Sequence, residues 1–224
     1  MKRSVFLVLC CFILLASGLR SQTIDLKEKN LKAVNSFMSL ETLDDEKVVR
    51  VIKDSAIKEF DEPTFVRINN FDFSNGAIEV KVLSRLLHDA PDFSRGFIGI
   101  VFRINEDNSK FESIYIRPTN GRADDQVRRN HSIQYFAYPD YKYQRLRKES
   151  PEMYESYADM GLNEWIQIRI EVQDQKARLY LNNNEQPSLI VNDLKLGGNM
   201  QGAIGLFVDV GTEGFFRDLK VYKK

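Results

Sequence analysis

The chain has 224 residues, with 32 Lys and Arg against 32 Asp and Glu, and so a formal net charge of zero at pH 7. This balance gives no support for nucleic-acid binding through bulk charge. The two histidines, His88 and His131, cannot form a three-histidine zinc site, and no H-E-x-x-H, G-x-S-x-G, Walker or G-x-G-x-x-G motif is present, which excludes the commonest zinc, serine-hydrolase and nucleotide-binding classes.

The N-terminus has the pattern of an export signal. Lys2 and Arg3 precede an apolar run over residues 4–16 that is too short to span a bilayer comfortably, and small residues follow it. These small residues predict cleavage after Gly18 or after Ser21. Cleavage after Ser21 makes residues 1–21 a signal peptide, and export places the mature protein in the periplasm or outside the cell. The alternative is a retained membrane anchor.

Removal of the signal peptide changes the available chemistry. Cys10 and Cys11 leave with it, so the mature chain lacks a disulfide, a thiol nucleophile and a cysteine metal ligand. The basic residues Lys2, Arg3 and Arg20 leave as well, and 29 basic against 32 acidic residues give a net charge of −3. We expect no nucleic-acid partner and no stable membrane insertion after cleavage.

The mature chain is dominated by strand patterns. Residues 22–36 are polar and predict a loose lead-in or short helix, and residues 37–224 predict one β domain. Ser150–Met160 is the best candidate for a short helix, because Pro151 suits a first helical turn. The predicted strands lie in ten segments: Val48–Ile52, Phe65–Ile68, Ala77–Leu83, Phe97–Ile104, Phe111–Pro118, Ile166–Val172, Ala177–Leu181, Leu189–Val191, Ala203–Val208 and Phe215–Val221. Roughly ten to thirteen short strands with polar turns predict an all-β sandwich or jelly roll of two antiparallel sheets.

The segment Asn163–Val221 carries a more specific pattern. Trp165 begins a strand, an LYLN strand follows, and a G-x-I-G-L strand leads to a final F-x-x-L-x-V strand. This resembles the closing strands of the concanavalin A-like lectin/glucanase superfamily, which includes laminin G-like domains. More narrowly, it is similar to the 3-keto-disaccharide hydrolase-like family, and the resemblance covers about Phe71 to the C-terminus. Trp165 is therefore expected to open a core strand and to anchor its packing.

The resemblance implies a single-domain concanavalin A-like jelly-roll β-sandwich and a carbohydrate ligand. The implied activity is hydrolysis of glycosides or 3-keto-glycosides; the alternative is a non-catalytic glycan-binding or adhesion module of laminin G-like type. The chain departs from family-16 glucanases, whose E-x-D-x-x-E motif it lacks. The nearest string, residues 59–63, misplaces the second glutamate and contains the strand-breaking Pro63. Only the fold and the ligand class are carried over.

A polar insert interrupts the strands over residues 117–130, and an aromatic segment, residues 131–143, follows it. Arginine forks bind carboxylates or paired hydroxyls, and Asn and Gln both donate and accept, which suits sugars. If Tyr115 and Arg117 face one way, Arg103 on the neighbouring strand is expected beside Arg117. The alternative is a loop held by internal Arg–Asp pairs. The candidate ligand-binding residues are Arg103, Tyr115, Arg117, Asn120, Arg122, Arg128, Gln134 and Tyr138.

Glycoside hydrolysis usually needs two carboxyl groups about 5–10 Å apart. The candidate pool is Glu112, Asp124, Asp125 and Glu155, and Asp124 and Asp125 are taken as the catalytic candidates because they lie in the insert. The alternative is that they are solvated or paired surface acids. A 3-keto group would acidify the neighbouring proton, so that a single base could start the reaction.

Two further expectations concern packing and metals. The rings after the insert either stack on sugars or fill the core. Of Tyr135 and Phe136, only one is expected to be buried, because adjacent strand residues point to opposite faces. No cofactor is expected. The alternative is calcium bound by the scattered residues Asp193, Asn199 and Asp209, which show no loop signature.

Overall fold

The computed structural model describes residues 20–224, and within them the chain is nearly all β. The predicted signal peptide, residues 1–21, lies outside the described residues except for its last two. The α-helices are α1 (Pro118–Gly121), α2 (Gln126–Asn130) and α3 (Tyr143–Glu149), with a 3₁₀ turn at Glu28–Asn30. None of the described helices has the length and apolar character needed to cross a membrane. The strands are β1 (Arg20–Thr23), β2 (Leu31–Val34), β3 (Ser36–Leu43), β4 (Glu46–Lys53), β5 (Phe65–Ile68), β6 (Gly76–Leu86), β7 (Ile98–Ile104), β8 (Phe111–Ile116), β9 (Ile133–Tyr138), β10 (Glu155–Ser156), β11 (Ile166–Gln173), β12 (Lys176–Leu181), β13 (Leu189–Val191), β14 (Ala203–Val208) and β15 (Thr212–Lys223).

The strands form two antiparallel sheets packed as a sandwich, which confirms the predicted fold class. The eight-stranded sheet has the order β13-β12-β11-β6-β15-β4-β3, with β1 paired to β15, and the seven-stranded sheet has the order β10-β9-β8-β7-β14-β5-β2. Strands β8 and β9 pair directly, with Ile116 opposite Ile133. The connection between them, residues 117–132, contains the polar insert, which therefore projects from one end of the seven-stranded sheet.

Alternation of side chains sets the face on which the sheets meet. On β6 of the eight-stranded sheet, Ile78, Val80 and Val82 are buried, while the residues between them point outward. Gly214 lies on the same inner face, and a Cβ there would come within 2.5 Å of a Val208 methyl of the opposite sheet. The two sheets thus approach closely enough at this point to require glycine.

The outer face of the seven-stranded sheet is buried as well. Four rings pack against one another there, with centroids 5.4–5.8 Å apart: Phe111, Tyr115, Phe136 and Phe207. The loop over residues 54–64 covers part of this layer, since its Asp61 accepts a hydrogen bond from Tyr115. The expectation that only one of Tyr135 and Phe136 is buried was wrong: both are fully buried because both faces of their strand are covered.

The predicted helix over Ser150–Met160 was also wrong. The helix of this region, α3, ends at Glu149, and Ser150 has a φ of −145°. A residue before proline is disfavoured in the α conformation, so Pro151 stops the helix rather than starting one. The chain then turns, and β10 pairs with β9, which places Glu155 opposite Gln134.

Parts of the predicted lead-in, residues 22–36, form strands of the sandwich. Strand β1 pairs with β15, and β2 pairs with β5. Ile24 and Leu31 are buried in the main core.

Trp165 directly precedes β11, as expected, but it is not in the main core. Because Ile166 points inward, its neighbour Trp165 points outward. It packs against a small outer cluster formed by Val48, Leu83 and Phe215. The Arg217 guanidinium lies 4.5 Å from the Trp165 ring, and the indole donates to Asp44 at 3.1 Å.

Candidate functional site

A row of polar side chains crosses the seven-stranded sheet at the end from which the insert projects. Tyr115 of β8 lies opposite Gln134 of β9, and Gln134 lies opposite Glu155 of β10. Arg117 follows the last residue of β8. We use the name Arg117 cluster for Tyr115, Arg117, His131, Gln134, Arg147 and Glu155.

Arg117 is the centre of this cluster, with 5% of its surface exposed. Its Nη1 donates to Oε1 of Glu155 and to the carbonyl of His131, each at 3.1 Å. Its Nη2 donates to the Tyr115 hydroxyl at 2.9 Å and to Oε1 of Gln134 at 3.1 Å. Four acceptors from four residues thus fix the plane of this guanidinium.

Glu155 is the anion of the cluster. Besides the bond from Arg117, it accepts hydrogen bonds from Arg147, of which the one from Nε to Oε2 is 2.9 Å long. Burial alone would favour the neutral acid, but the hydrogen bonds from Arg147 and the charge of Arg117 outweigh burial and lower the pKa of Glu155. Glu155 is therefore a carboxylate at neutral pH.

His131 lies at the mouth of the cluster, at the C-terminal end of α2. Its Nδ1 is 3.0 Å from Oε1 of Glu155, although not aligned for a hydrogen bond, and 21% of its side chain is exposed. Burial lowers the pKa of His131, and the Glu155 carboxylate only partly opposes this effect. The imidazole is thus neutral at pH 7 and able to accept a proton. Its position directly after the insert, as one of only two histidines, was the available sequence signal.

Rings and guanidinium groups alternate through the cluster. The guanidinium of Arg147 lies 5.2 Å from the Tyr143 ring, and that of Arg117 lies 5.6 Å from Tyr143 and 5.2 Å from Tyr115. Cation–π contacts of this kind favour an ordered stack. Arg117 is consequently held from the side by α3, while Arg147 keeps 38% of its side chain exposed.

A second buried acid lies behind Tyr115. Asp61, in a left-handed conformation with φ 55°, accepts from the Tyr115 hydroxyl at 3.1 Å and from the Tyr143 amide at 2.7 Å. Burial, together with the nearby Asp209 carboxylate, raises the pKa of Asp61 to about 7. Asp209 itself pairs with Lys53 at 2.6 Å. Sequence reasoning considered Asp61 only within the degenerate glucanase string and missed its position here.

Glu112, the other buried acid of the candidate pool, is remote from the cluster. The Tyr135 hydroxyl donates to it, and so does the Leu196 amide, at 2.9 Å. Burial raises the pKa of Glu112 to about 7. Because the Lys195 amide donates to the Tyr135 hydroxyl at 2.7 Å, this pair attaches a loop to the sheet.

Three of the candidate ligand-binding residues, Tyr115, Arg117 and Gln134, are joined by hydrogen bonds as described. Asn120 supports them, because its Nδ2 donates to the His131 carbonyl at 3.0 Å. Arg103 does not lie beside Arg117. The antiparallel register of β7 and β8 puts Ile98, not Arg103, next to the end of β8, so the two arginines lie at opposite ends of the sheet.

The other candidates lie outside the cluster. Arg122 is paired with Asp159 at 2.8 Å and with Glu164, so the insert is held by Arg–acid pairs, but not by the Asp124 or Asp125 partners considered from the sequence. Asp124 and Asp125 are exposed, and Asp125 caps α2 by accepting from the Arg128 amide at 2.8 Å. The remaining two candidates are an exposed arginine, Arg128, and a half-buried ring that stacks on Phe111 at 5.1 Å, Tyr138.

The two acidic calcium candidates have other partners. Asp193 accepts from Lys195 and from the Tyr154 hydroxyl, each at 2.7 Å, and Asp209 is held by Lys53. Within residues 20–224, no group of three or more His, Cys, Asp or Glu side chains is arranged to hold a metal ion.

No protein-family model matches this chain, and no curated protein matches it in sequence. Solved structures do share its architecture. The carbohydrate binding module CBM66 from Bacillus subtilis superposes with a TM-score of 0.56 at 13% identity, over 86% of this chain and 95% of that one. A candidate glycosyl hydrolase from Parabacteroides distasonis gives 0.54 at 13% identity, over 92% and 100%. A Bacillus subtilis protein of unknown function with a galectin-like fold gives 0.51 at 10% identity, over 87% and 90%.

The fold is a concanavalin A-like or galectin-like β-sandwich. At these levels of identity the likeness establishes the fold alone. The chemistry of the site has to be argued from the residues of this chain.

Proposed function

We propose that this protein is an exported carbohydrate-handling domain that hydrolyses a 3-keto-glycoside or a glycoside at the Arg117 cluster. The observation that carries the proposal is the pair formed by His131 and Glu155. A neutral, partly exposed imidazole lies 3.0 Å from a carboxylate that Arg117 and Arg147 keep ionised. The fold shared with a carbohydrate binding module and a candidate glycosyl hydrolase supports a carbohydrate ligand, and the pattern of Asn163–Val221 resembles the 3-keto-disaccharide hydrolase-like family.

The chemistry requires one base. A ketone at C3 of the sugar acidifies the proton on C2. His131 accepts this proton, and the electron pair forms an enolate that expels the anomeric substituent, leaving a double bond between C1 and C2. The leaving oxygen takes the proton from the imidazolium. Water then adds, with its oxygen to C1 and its proton to C2, so that the products are an alcohol and a free 3-keto sugar.

The other residues of the Arg117 cluster can stabilise the charges that form in the intermediate. Glu155 stabilises the imidazolium that forms on His131, in the way that a buried carboxylate assists a catalytic histidine. Arg147 retains 38% side-chain exposure and presents a planar donor group that can bind the enolate oxygen. Arg117 is too buried for substrate contact and holds Glu155 in place.

The keto version is favoured over ordinary glycoside hydrolysis. The ordinary mechanism needs two carboxyl groups on either side of the scissile bond. Asp124 and Asp125 are exposed, whereas Glu155 is enclosed by the two arginines and His131. One partly exposed base with an adjacent arginine matches elimination better than it matches a two-acid mechanism.

The test compares a 4-nitrophenyl 3-keto-glucoside with the unoxidised 4-nitrophenyl glucoside, using the exported protein. We expect release of nitrophenol from the keto substrate and, in deuterated water, incorporation of deuterium at C2. His131→Asn should reduce kcat/KM by at least about a hundredfold. The matched control is His88→Asn, because the His88 side chain is 95% exposed.

Release that is unaffected by His131→Asn would contradict the assignment of the base. Failure of the folded protein to turn over either substrate would contradict the hydrolase. A pH profile gives a separate check, since kcat/KM should fall on the acidic side as His131 becomes protonated.

A specific observation also favours a non-catalytic glycan-binding module. The Arg129 guanidinium lies 4.9 Å from the ring of Tyr157, which is 41% exposed, and donates to its hydroxyl at 2.6 Å. A fixed, exposed ring is a surface on which the apolar face of a sugar stacks. Under this alternative, glycans broaden NMR signals near Tyr157 without product, and Tyr157→Ala abolishes binding whereas Tyr180→Ala on the other sheet does not.

Export is proposed from the sequence pattern of residues 1–21. N-terminal sequencing of the secreted protein should give a start at Leu19 or Gln22. An intact N-terminus recovered in the membrane fraction would instead support a retained anchor.

A further inference from the structure

An open groove of about 820 Å³ crosses the outer face of the eight-stranded sheet, on the opposite side of the sandwich from the Arg117 cluster. Gly76 and Ala77 of β6 form part of its floor. In the outward-facing row, Ala77 lies between Tyr222 and Glu171, so its methyl group leaves the space that a longer side chain would fill. The groove therefore results from a small residue placed between large ones.

A buried arginine fixes the end of this groove. Arg103 is fully buried and donates four hydrogen bonds, none of them to a carboxylate. It joins the Ser74 and Asp174 carbonyls at 2.9 Å, the Gly197 carbonyl at 3.1 Å and Oδ1 of Asn75 at 3.1 Å. One guanidinium thus ties together three segments that border the groove.

The backbone conformation of Arg103 also indicates that its position is fixed by the fold. Its φ is 56°, in the left-handed region that is unfavourable for a non-glycine residue. In this conformation the guanidinium reaches the loops that contain Ser74, Asp174 and Gly197. The groove is accordingly pre-organised before any ligand arrives.

The lining is suited to hydroxyl groups. Four side-chain amides border the groove, and each has both donors and acceptors: Gln173, Gln175, Asn192 and Asn199. The apolar residues that line it are small, and no aromatic ring is among the described residues there. A lipid or an apolar peptide would find little apolar contact, and nucleic-acid bases would find no ring on which to stack.

The groove lining carries four basic side chains against two acidic ones, Glu171 and Asp174. Arg169 is neutralised by Glu79 and Glu171. Lys176, Arg178 and Lys224 line the groove, and none of them forms an ion pair with a carboxylate of the described residues. Arginine and lysine in this situation bind carboxylate or sulfate groups.

We propose that this groove is a second ligand site, which binds an acidic oligosaccharide: a hydroxyl-rich chain bearing carboxylate groups. The amides would bind the hydroxyls, and Lys176 and Arg178 would bind the acids. The site does not depend on the hydrolase activity, because it uses none of the residues of the Arg117 cluster.

The test uses trigalacturonate as the acidic probe and the neutral galactose trimer of the same linkage for comparison. In amide NMR spectra we expect trigalacturonate to shift the signals of Gly198 and Asn199 and not that of Gly121 in the insert. Lys176→Gln/Arg178→Gln should weaken binding at least tenfold. The matched control, Lys29→Gln/Lys32→Gln, removes two exposed lysines elsewhere and should change affinity less than twofold.

Any one of the following results would overturn the proposal: no binding at millimolar concentration, equal binding of the neutral trimer, or shifts confined to the insert. Equal affinity of the two double variants would do the same. Turnover of a 3-keto-glucoside is measured separately, so failure at the groove and failure of the hydrolase are distinguishable.

Asn75 gives an independent test of pre-organisation, because it does not line the groove. Its Oδ1 accepts from Arg103 and, at 2.8 Å, from the Asp174 amide. Asn75→Ala should lower the trigalacturonate affinity severalfold and speed hydrogen exchange at the Asp174 amide. Asn75→Asp keeps the acceptor oxygen and should therefore have the affinity and the exchange rate of the parent protein. If Asn75→Ala exchanges faster but binds trigalacturonate with unchanged affinity, the groove end that Arg103 fixes does not contribute to binding.

Discussion

Tyr115 donates a hydrogen bond from its hydroxyl to Oδ1 of Asp61 at 3.1 Å, in the buried layer on the outer face of the seven-stranded sheet. The same hydroxyl accepts from Arg117 at 2.9 Å. One ring therefore connects the loop over residues 54–64 to the cluster at the end of the sheet. A change in the charge of Asp61 therefore alters the electrostatic environment of both that loop and Arg117.

Stability should depend on the titration of Asp61. Because its folded pKa, about 7, is above the ordinary 3.8, the native state binds this proton more tightly than the unfolded chain does. The free energy of unfolding should fall as the pH rises from about 4 to about 7 and level off above that. Asp61→Asn removes this contribution, which is on the order of a few kcal/mol.

Urea denaturation at pH 5 and pH 8 measures the effect. The difference between the two values should be smaller in Asp61→Asn than in the parent, and part of it should remain because Glu112 titrates in the same range. Asp124→Asn, at an exposed position, serves as the control. An unchanged pH dependence in Asp61→Asn would mean that Asp61 is ionised throughout.

Glu155→Gln should destabilise the protein by about 2–4 kcal/mol, because it leaves the buried Arg117 without its anion. It should also lower the pKa of His131 further, since the Glu155 carboxylate is what raises it against burial. Thermal unfolding and NMR titration of the imidazole measure the two effects. Glu149→Gln breaks the exposed pair with Arg145 and should cost much less stability, because water screens this pair. A similar loss in both variants would contradict the central position of Glu155.

Two glycines with positive φ should differ sharply in their tolerance of alanine. A Cβ on Gly76 would lie 1.8 Å from the Tyr222 carbonyl oxygen, whereas the nearest atom to a Cβ on Gly197 is 3.9 Å away. Gly197→Ala should cost about 1–2 kcal/mol from its backbone conformation alone. Gly76→Ala should cost more than about 4 kcal/mol, because β6 and β15 must separate. Denaturant midpoints of the two variants give the comparison, and equal midpoints would show that β15 can shift.

Arg103→Met should destabilise the fold by about 3–5 kcal/mol, because it leaves several buried acceptors without a donor. Arg178→Met, at an exposed position on β12, should change stability by about 0.5 kcal/mol or less. Chemical denaturation measures the free energy of unfolding of the two variants. A mild loss in Arg103→Met would indicate that water replaces the guanidinium between the three segments.

The local part of the structure was readable from the sequence because strand alternation is a local property. The repeating apolar residues of β6 and β11 predicted which side chains face the core, and the fold class followed from the number of such segments. The same periodicity brought Tyr115 and Arg117 to one face, and the insert pointed to Asn120 and Gln134 beside them. Pro151 misled the helix prediction, since proline both starts helices and stops the helix before it.

Tertiary structure alone decided the rest, because it depends on contacts between residues far apart in the chain. Asp61 acquires its raised pKa only when its loop folds over Tyr115 and next to Asp209, and no local pattern contains that contact. Burial of both Tyr135 and Phe136 needed the same long-range cover. The antiparallel register of β7 and β8 separated Arg103 from Arg117 and left Arg103 to organise the groove on the opposite side. The sequence by itself determined that the chain builds a β-sandwich with a polar insert, and long-range packing determined which of its charged groups meet.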